Sequence, residues 1–141
     1  MAYEHTEVPV DRSQAALRKL IQAHKGFGLA VISEQDPQGR EASVEGFQAK
    51  VMIDQTPCVV KIMAKVRRVG NREQEERRIW RVLYYHMKGI FEAADSGVME
   101  FRTMMLPYIV TPNGMTVAEQ IMPRLQLVLT GKMPKLLTEG S

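Results

Sequence analysis

The chain has 141 residues, 45% hydrophobic and 25% charged, which is one domain's worth of ordinary globular composition and excludes a disordered tract or a fibre. The formal net charge is +3, a mild tilt towards acidic partners rather than the concentrated charge of a dedicated nucleic-acid binder. The single cysteine, Cys58, excludes an intramolecular disulfide and reads as a buried structural thiol.

The opening "MAYEHTEVPVD" has neither the basic nor the apolar region of a secretory signal. No uncharged apolar run approaches the roughly 20 residues a bilayer needs. The expectation is a soluble, cytoplasmic protein without membrane contact.

Residues 1–10 read as an irregular tail, with Pro9 keeping them out of a helix. Asp11 offers an N-cap, with Gln14 at capping-box spacing. Leu17, Leu20, Ile21 and His24 then recur at helical spacing, and Gly26 and Gly28 end the helix. "LAVIS", from Leu29, is a short strand. "DPQG" (36–39) is a turn with Pro at its second position. From Val44 the pattern alternates, with Phe47, Ala49, Val51 and Ile53 on one face and Gln48 and Lys50 on the other. "DQTP" (54–57) turns the chain again. In a third strand Cys58, Val60, Ile62, Ala64 and Val66 face one way. Val59, Lys61, Met63, Lys65 and Arg67 face the other. Period two with turns between gives an antiparallel meander with one face inward.

Asn71, with Gln74 three residues on, caps a helix predicted from Arg72 to Ser96 that Gly97 stops. Its inward stripe is Ile79, Trp80, Leu83, Tyr84, Met87, Ile90, Phe91 and Ala94. Arg77, Arg81 and Lys88 line a flank where Glu73 and Glu92 stand four residues away as helical ion-pair partners. Trp80 is therefore a core anchor, and the charge run "REQEERR" is a self-paired, solvated flank. "VMEFRTMML" reads as extended and "TPNG" (111–114) as a tight turn. Thr116 with Glu119 opens a last helix, which Pro123 kinks. Residues 131–141 read as a second irregular tail.

No catalytic constellation emerges. His5, His24 and His86 share no spacing with one another or with a cysteine pair, so no metal site is expected. His86 projects away from Glu92 and Asp95 on the helical wheel. "GFG" (26–28) follows a helix and lacks the Lys-Ser of a phosphate loop. No cofactor is implied.

The basic residues carry the candidate site. Lys61, Lys65 and Arg67 alternate along one strand and Arg68 extends them. Lys50 joins from the neighbouring strand, with Arg40 nearby. Such a platform suits a phosphate backbone of DNA or RNA. The competing reading is a solvated sheet face, kept charged for solubility and against edge pairing. No aromatic residue alternates with these cations, so the stacking half of a single-strand platform is missing.

"VPVDRSQAALRKLI", "QEERRIWRVLYYHMKGIFEAADSGVMEF", "YIVTPNGMTVAEQIMPRL" and "TGKMPKLL" are similar to segments of short proteins encoded by tailed double-stranded DNA phages and prophage-like regions. The most specific pieces are E-x-R-x-x-W-R (Glu75 to Arg81) and the Pro112-Asn113-Gly114 turn into Thr116-Val117. The sheet region matches poorly. The resemblance implies a phage context, a host-cell cytoplasm, and no site residues.

The sequence thus predicts one α+β domain over 1–141. It comprises an N-terminal helix, a three-stranded antiparallel meander, a long amphipathic helix, a strand or hairpin and a C-terminal helix. The expected role is a non-enzymatic accessory protein binding nucleic acid or a nucleoprotein complex through Lys50, Lys61, Lys65, Arg67 and Arg68. The alternative is a protein-binding modulator of a host complex, such as RNA polymerase or a defence nuclease, using Met99, Met104, Met105 and Met115 as adaptable contacts. The oligomeric state stays open.

Overall fold

A computed structural model describes residues 3–35, 42–68 and 70–131. Helix α1 (Val10–Ala23) leads into strands β1 (Phe27–Gln35), β2 (Ala42–Ile53) and β3 (Thr56–Lys65), and the long helix α2 (Arg72–Asp95) follows. A short helix α3 (Phe101–Met105), a 3-10 turn (Leu106–Tyr108) and two more short helices, α4 (Val117–Ile121) and α5 (Leu125–Leu129), complete the described chain. The strands form an antiparallel sheet in the order β1-β2-β3. The α+β architecture and its element order follow the sequence pattern. The turn at 36–39, Arg40 and the tail from 132 lie outside the described residues.

Hydrophobic alternation sets the layers. Phe47, Ala49, Val51 and Ile53 of β2 and Val60 and Ile62 of β3 are buried on one face of the sheet, together with Val66 just beyond it. Against that face α2 lays Ile79, Trp80, Leu83, Met87, Ile90 and Phe91, and α1 lays Leu17 and Ile21. A side chain of that size contributes about 1.5–3 kcal/mol when fully buried, so this layer carries the fold. Tyr84 and Ala94, at the edges of the expected stripe, are only half-buried. Trp80 is wholly enclosed and its indole N–H donates to Glu45 Oε1 at 2.8 Å, which gives the buried indole its polar partner.

The turns and caps differ instructively from the sequence pattern. α1 starts at Val10 behind Pro9 with no side-chain cap, and the Asp11 carboxylate instead accepts the neighbouring Arg12 N–H. The tail thus yields to helix where the fixed φ of Pro9 already suits a helix entry. At the other end Lys25, not a glycine, takes the left-handed position (φ 67°), with Gly26 N–H donating to Ile21 O at 2.8 Å. That is a Schellman end built on lysine. β2 turns into β3 through Asp54 and Gln55 alone, both at positive φ (50° and 66°), the two-residue turn whose twist matches a hairpin. α2 ends as expected, with Gly97 at φ 74°.

The segment "VMEFRTMML" is not extended: 101–105 is helical and Met105 is fully buried. Its period-two pattern gives way because Phe101 and Met105 lie on one side of a helix turn and both join the core. The hairpin after it is minimal. Ile109 bridges Val60 and Val110 bridges Thr116 around the turn, closing part of β3's outer edge. Thr116 and Glu119 form a complete capping box. Pro123 breaks the last helix into α4, a 3-10 turn (Met122–Arg124) and α5, because its nitrogen has no proton to donate.

Candidate functional site

Both long helices cover one face of the sheet, so the other face stays open. Each strand contributes to it at alternate positions. The strand register places Ala30, Gln48 and Lys61 in one row across the sheet, Phe27, Lys50 and Val59 in the next, and Val44 beside Lys65 at the far end. Lys50 and Lys65 are exposed, and Lys61 is held by an ion pair with Glu34 at 2.9 Å. At about 3.4 Å per residue these three cations span on the order of 20 Å. Glu34 is the one acidic side chain among the described strand residues of this face.

The structure adds a residue that sequence reasoning missed. Phe27 is half-exposed on this open face, with Lys50 Nζ 5.5 Å from its ring centroid. Strict alternation from Leu29 leaves Phe27 in a loop. In the structure β1 starts earlier, and the register slips between Phe27 and Ala30. Gly28, at φ 71°, absorbs the slip as a bulge. Phe27 and Ala30 consequently share a face that ideal pleating would deny them. The signal was present in "GFG", where a glycine at a strand start marks a bulge.

Arg67 stands apart from the lysines. β3 ends at Lys65, and Arg67 turns to the helix side, where its guanidinium meets Glu75 at 3.0 Å and Glu4 at 2.8 Å. Arg68 lies exposed beyond the strand. The five sequence candidates therefore divide into Lys50, Lys61 and Lys65 on the open face and Arg67 and Arg68 past its end.

Glu75 explains where Arg67 goes. Its side chain is fully enclosed, and its two oxygens accept the Arg67 backbone N–H at 2.7 Å, the Arg67 guanidinium, and Arg78 from both Nε (2.8 Å) and Nη2 (3.0 Å). Arg78 first, and then Arg67, hold the carboxyl at about 2 despite the opposing effect of burial. The stripe rule gave Glu75 to solvent. It is instead the post that joins the end of β3 to the start of α2.

The charged flank of α2 pairs with itself as the spacing indicated, with Arg77 to Glu73 at 2.7 Å and Lys88 to Glu92 at 4.0 Å. The Arg81 guanidinium lies over Tyr84 and Tyr85, and Tyr3 stacks on Tyr85. His24 closes the far end. Its Nδ1 meets Leu20 O and its Nε2 meets Asp95, each at 2.9 Å, with the ring stacked on Phe91. His86 meets Tyr108 instead of either carboxylate. Beside the end of α2 a shallow cleft is lined by Met52, Val98 and Met99, with Arg102 bridging Asp54 and Glu100. One cation thus serves two carboxylates, and no Ser, Cys, His or Lys is among the described residues that line the cleft. Of the four methionines expected at an interface, Met105 is buried, Met104 is half-buried, and Met99 and Met115 are exposed.

No helix among the described residues is long and apolar enough to cross a membrane, and no group of three His, Cys, Asp or Glu side chains among them is placed to hold a metal. No family model, curated protein or solved structure matches the chain.

Proposed function

We propose that the protein is a non-enzymatic, phage-type accessory factor that binds single-stranded nucleic acid, free or within a nucleoprotein complex, on the open face of its sheet. The observation that carries this reading is Phe27 beside Lys50, with Lys61 and Lys65 in line beyond them. An exposed ring among cations is what a single strand requires. Bases stack on the aromatic and phosphates pass along the lysines. Lys50 shields the ring when no ligand is bound, and a phosphate drawing its ammonium aside would uncover the ring for stacking. The phage setting rests on the resemblance of the α2 and C-terminal segments.

On this reading each of the three lysines meets one phosphate. Three phosphate contacts on a single strand give a salt slope near −2 in log K against log salt. Affinity then falls roughly 15-fold between 50 and 200 mM salt. Fluorescence anisotropy with a labelled oligonucleotide of mixed sequence tests this. The triple change Lys50→Glu, Lys61→Glu, Lys65→Glu should abolish binding, and Phe27→Ala should weaken it about tenfold or more. Binding with a flat salt dependence, or binding indifferent to these four positions, would refute the reading. A protein partner is the second reading, favoured by the exposed Val98 and Met99 at the cleft. It predicts capture of one host protein that survives nuclease treatment and is lost in Met99→Asp.

A further inference from the structure

Where α1 gives way to β1, a small pocket opens at the edge of the sheet. It holds about 170 Å³ and is lined by Arg18, Ile21, Gln22, Phe27, Gly28 and Leu29. Cavities of about 150 Å³ admit one benzene-sized ring, so the space suits a single planar ring system. Ile21 is buried and Leu29 half-buried, which makes the floor apolar. Arg18 and Gln22 stand four residues apart on α1, on one face of the helix. Both are exposed, and neither side chain has a hydrogen-bond or ion-pair partner among the described residues. On α2, by contrast, Arg72, Arg77 and Arg78 each meet a glutamate. No carboxylate is among the described residues that line the pocket.

The pocket adjoins the lysine platform. Phe27 belongs to both, since it lines the pocket and its ring centroid lies 5.5 Å from Lys50 Nζ on the open face. Lys65, Lys61, Lys50 and Phe27 step diagonally from β3 across β2 to β1. A strand that follows the lysines therefore arrives at this edge. The turn between α1 and β1 is held close: a Cβ on Gly26 would come within 2.6 Å of Ile21 Cγ2 and 2.7 Å of the Lys50 carbonyl oxygen. Glycine lets the pocket floor and the backbone that carries Lys50 meet without a spacer. The distance from pocket to platform is thereby set before any ligand binds.

We infer, and the inference rests on the single-strand reading of the open face, that this pocket receives one base of the bound strand, with guanine preferred over the other three. The base packs against Phe27 and the apolar floor, while Arg18 and Gln22 hydrogen-bond its edges. A phosphate would leave that floor without an apolar partner, and the lysines already serve the backbone. The preference follows from donors and acceptors. A guanidinium has only donors, and guanine O6 and N7 offer it two adjacent acceptors. Adenine carries an amine where O6 stands, so donor would face donor. Cytosine and thymine lack N7 altogether. The Gln22 amide oxygen accepts from guanine N1–H or its 2-amino group. In a single strand all of these edges are free.

Fluorescence anisotropy on the full chain tests this with labelled thymidine octanucleotides that carry guanine, adenine, cytosine or thymine at one central position. The guanine strand should bind about tenfold or more tightly than the other three. Arg18→Lys keeps the charge and loses the planar fork. It should remove most of the preference by weakening the guanine strand alone, with the slope of log K against log salt held at about −2. Lys65→Gln should instead weaken all four strands alike and lower the slope by about 0.7, with the preference kept. Thermal melts of both variants should match wild type, because both side chains are exposed. Equal affinity of the wild-type chain for the four strands, or preference for another base, overturns the pocket and leaves the platform standing if the salt dependence is steep. An Arg18→Lys chain that keeps the full guanine preference overturns the pocket as well. Absence of salt-sensitive binding to every strand overturns pocket and platform together.

Discussion

Glu75 offers the sharpest test of how the sheet is tied to its helix. Replacing it by Gln keeps the side chain's shape but converts one acceptor oxygen into a donor. That donor then faces the N–H groups of Arg67 or Arg78, which the carboxylate had satisfied. The magnitude follows from linkage. The carboxyl falls from an ordinary 4.5 to about 2 on folding, and at about 1.4 kcal/mol per unit this is worth about 3 kcal/mol. Loss of one member of a buried ionic cluster falls in the same range, about 3–5 kcal/mol. Against a total stability of about 5–15 kcal/mol this is a large share. The sign of the pH dependence is fixed by the depressed value. The stabilisation is complete above about 4.5 and disappears as pH falls through about 2. Urea titrations at constant ionic strength should therefore show Glu75→Gln about 1–2 M below wild type in midpoint at pH 7. The two curves should converge as the pH approaches 2. A midpoint difference at pH 7 too small to measure, or one that persists undiminished in acid, would refute the reasoning.

His24 and Gly46 give two further expected outcomes. Burial of the His24 ring opposes its charge, but the Leu20 carbonyl and then the Asp95 carboxylate outweigh it and raise the imidazole above 6.5. Its contribution is complete below 6.5 and lost as pH rises through the folded value. Because Asp95 is largely exposed, His24→Gln should cost only about 0.5–1 kcal/mol at pH 5.5 and less at pH 8.5, by thermal melts at both pH values. Gly46→Ala should cost about 1–3 kcal/mol in chemical denaturation, since a Cβ there would meet the Ile62 carbonyl oxygen at 2.0 Å and force β2 and β3 apart. Unchanged stability would mean the strands reposition freely.

What was legible in the sequence was what local periodicity encodes. Alternation at Phe47 to Ile53 and the 3.6-residue spacing from Ile79 to Phe91 name two faces that must meet, and they do. Gly97 stops α2 because its left-handed φ costs glycine least. The misreadings arise where one local rule competes with a distant partner. Glu75 obeys the rule that acids favour a helix's first turn, yet it is buried because Arg67 and Arg78 converge on it. Arg67 alternates correctly with Lys65, but the strand has ended before it. Phe27 is displaced by a bulge, which shifts a face without changing composition. The short helix at 101–105 lies in a window too brief for its period to be told from a strand's.

The enclosure of Glu75 has a consequence for how the molecule opens. The same Arg67 that grips it also reaches Glu4, and the Gln74 amide donates to the carbonyls of Glu4 and Thr6. The first residues of the chain are thereby fastened to a junction some sixty positions away. Loosening them would weaken the β3–α2 joint before it touched the hydrophobic layer. Amide protons at the start of α2 should then exchange through a partial opening shared with residues 3–8, well below the free energy of global unfolding.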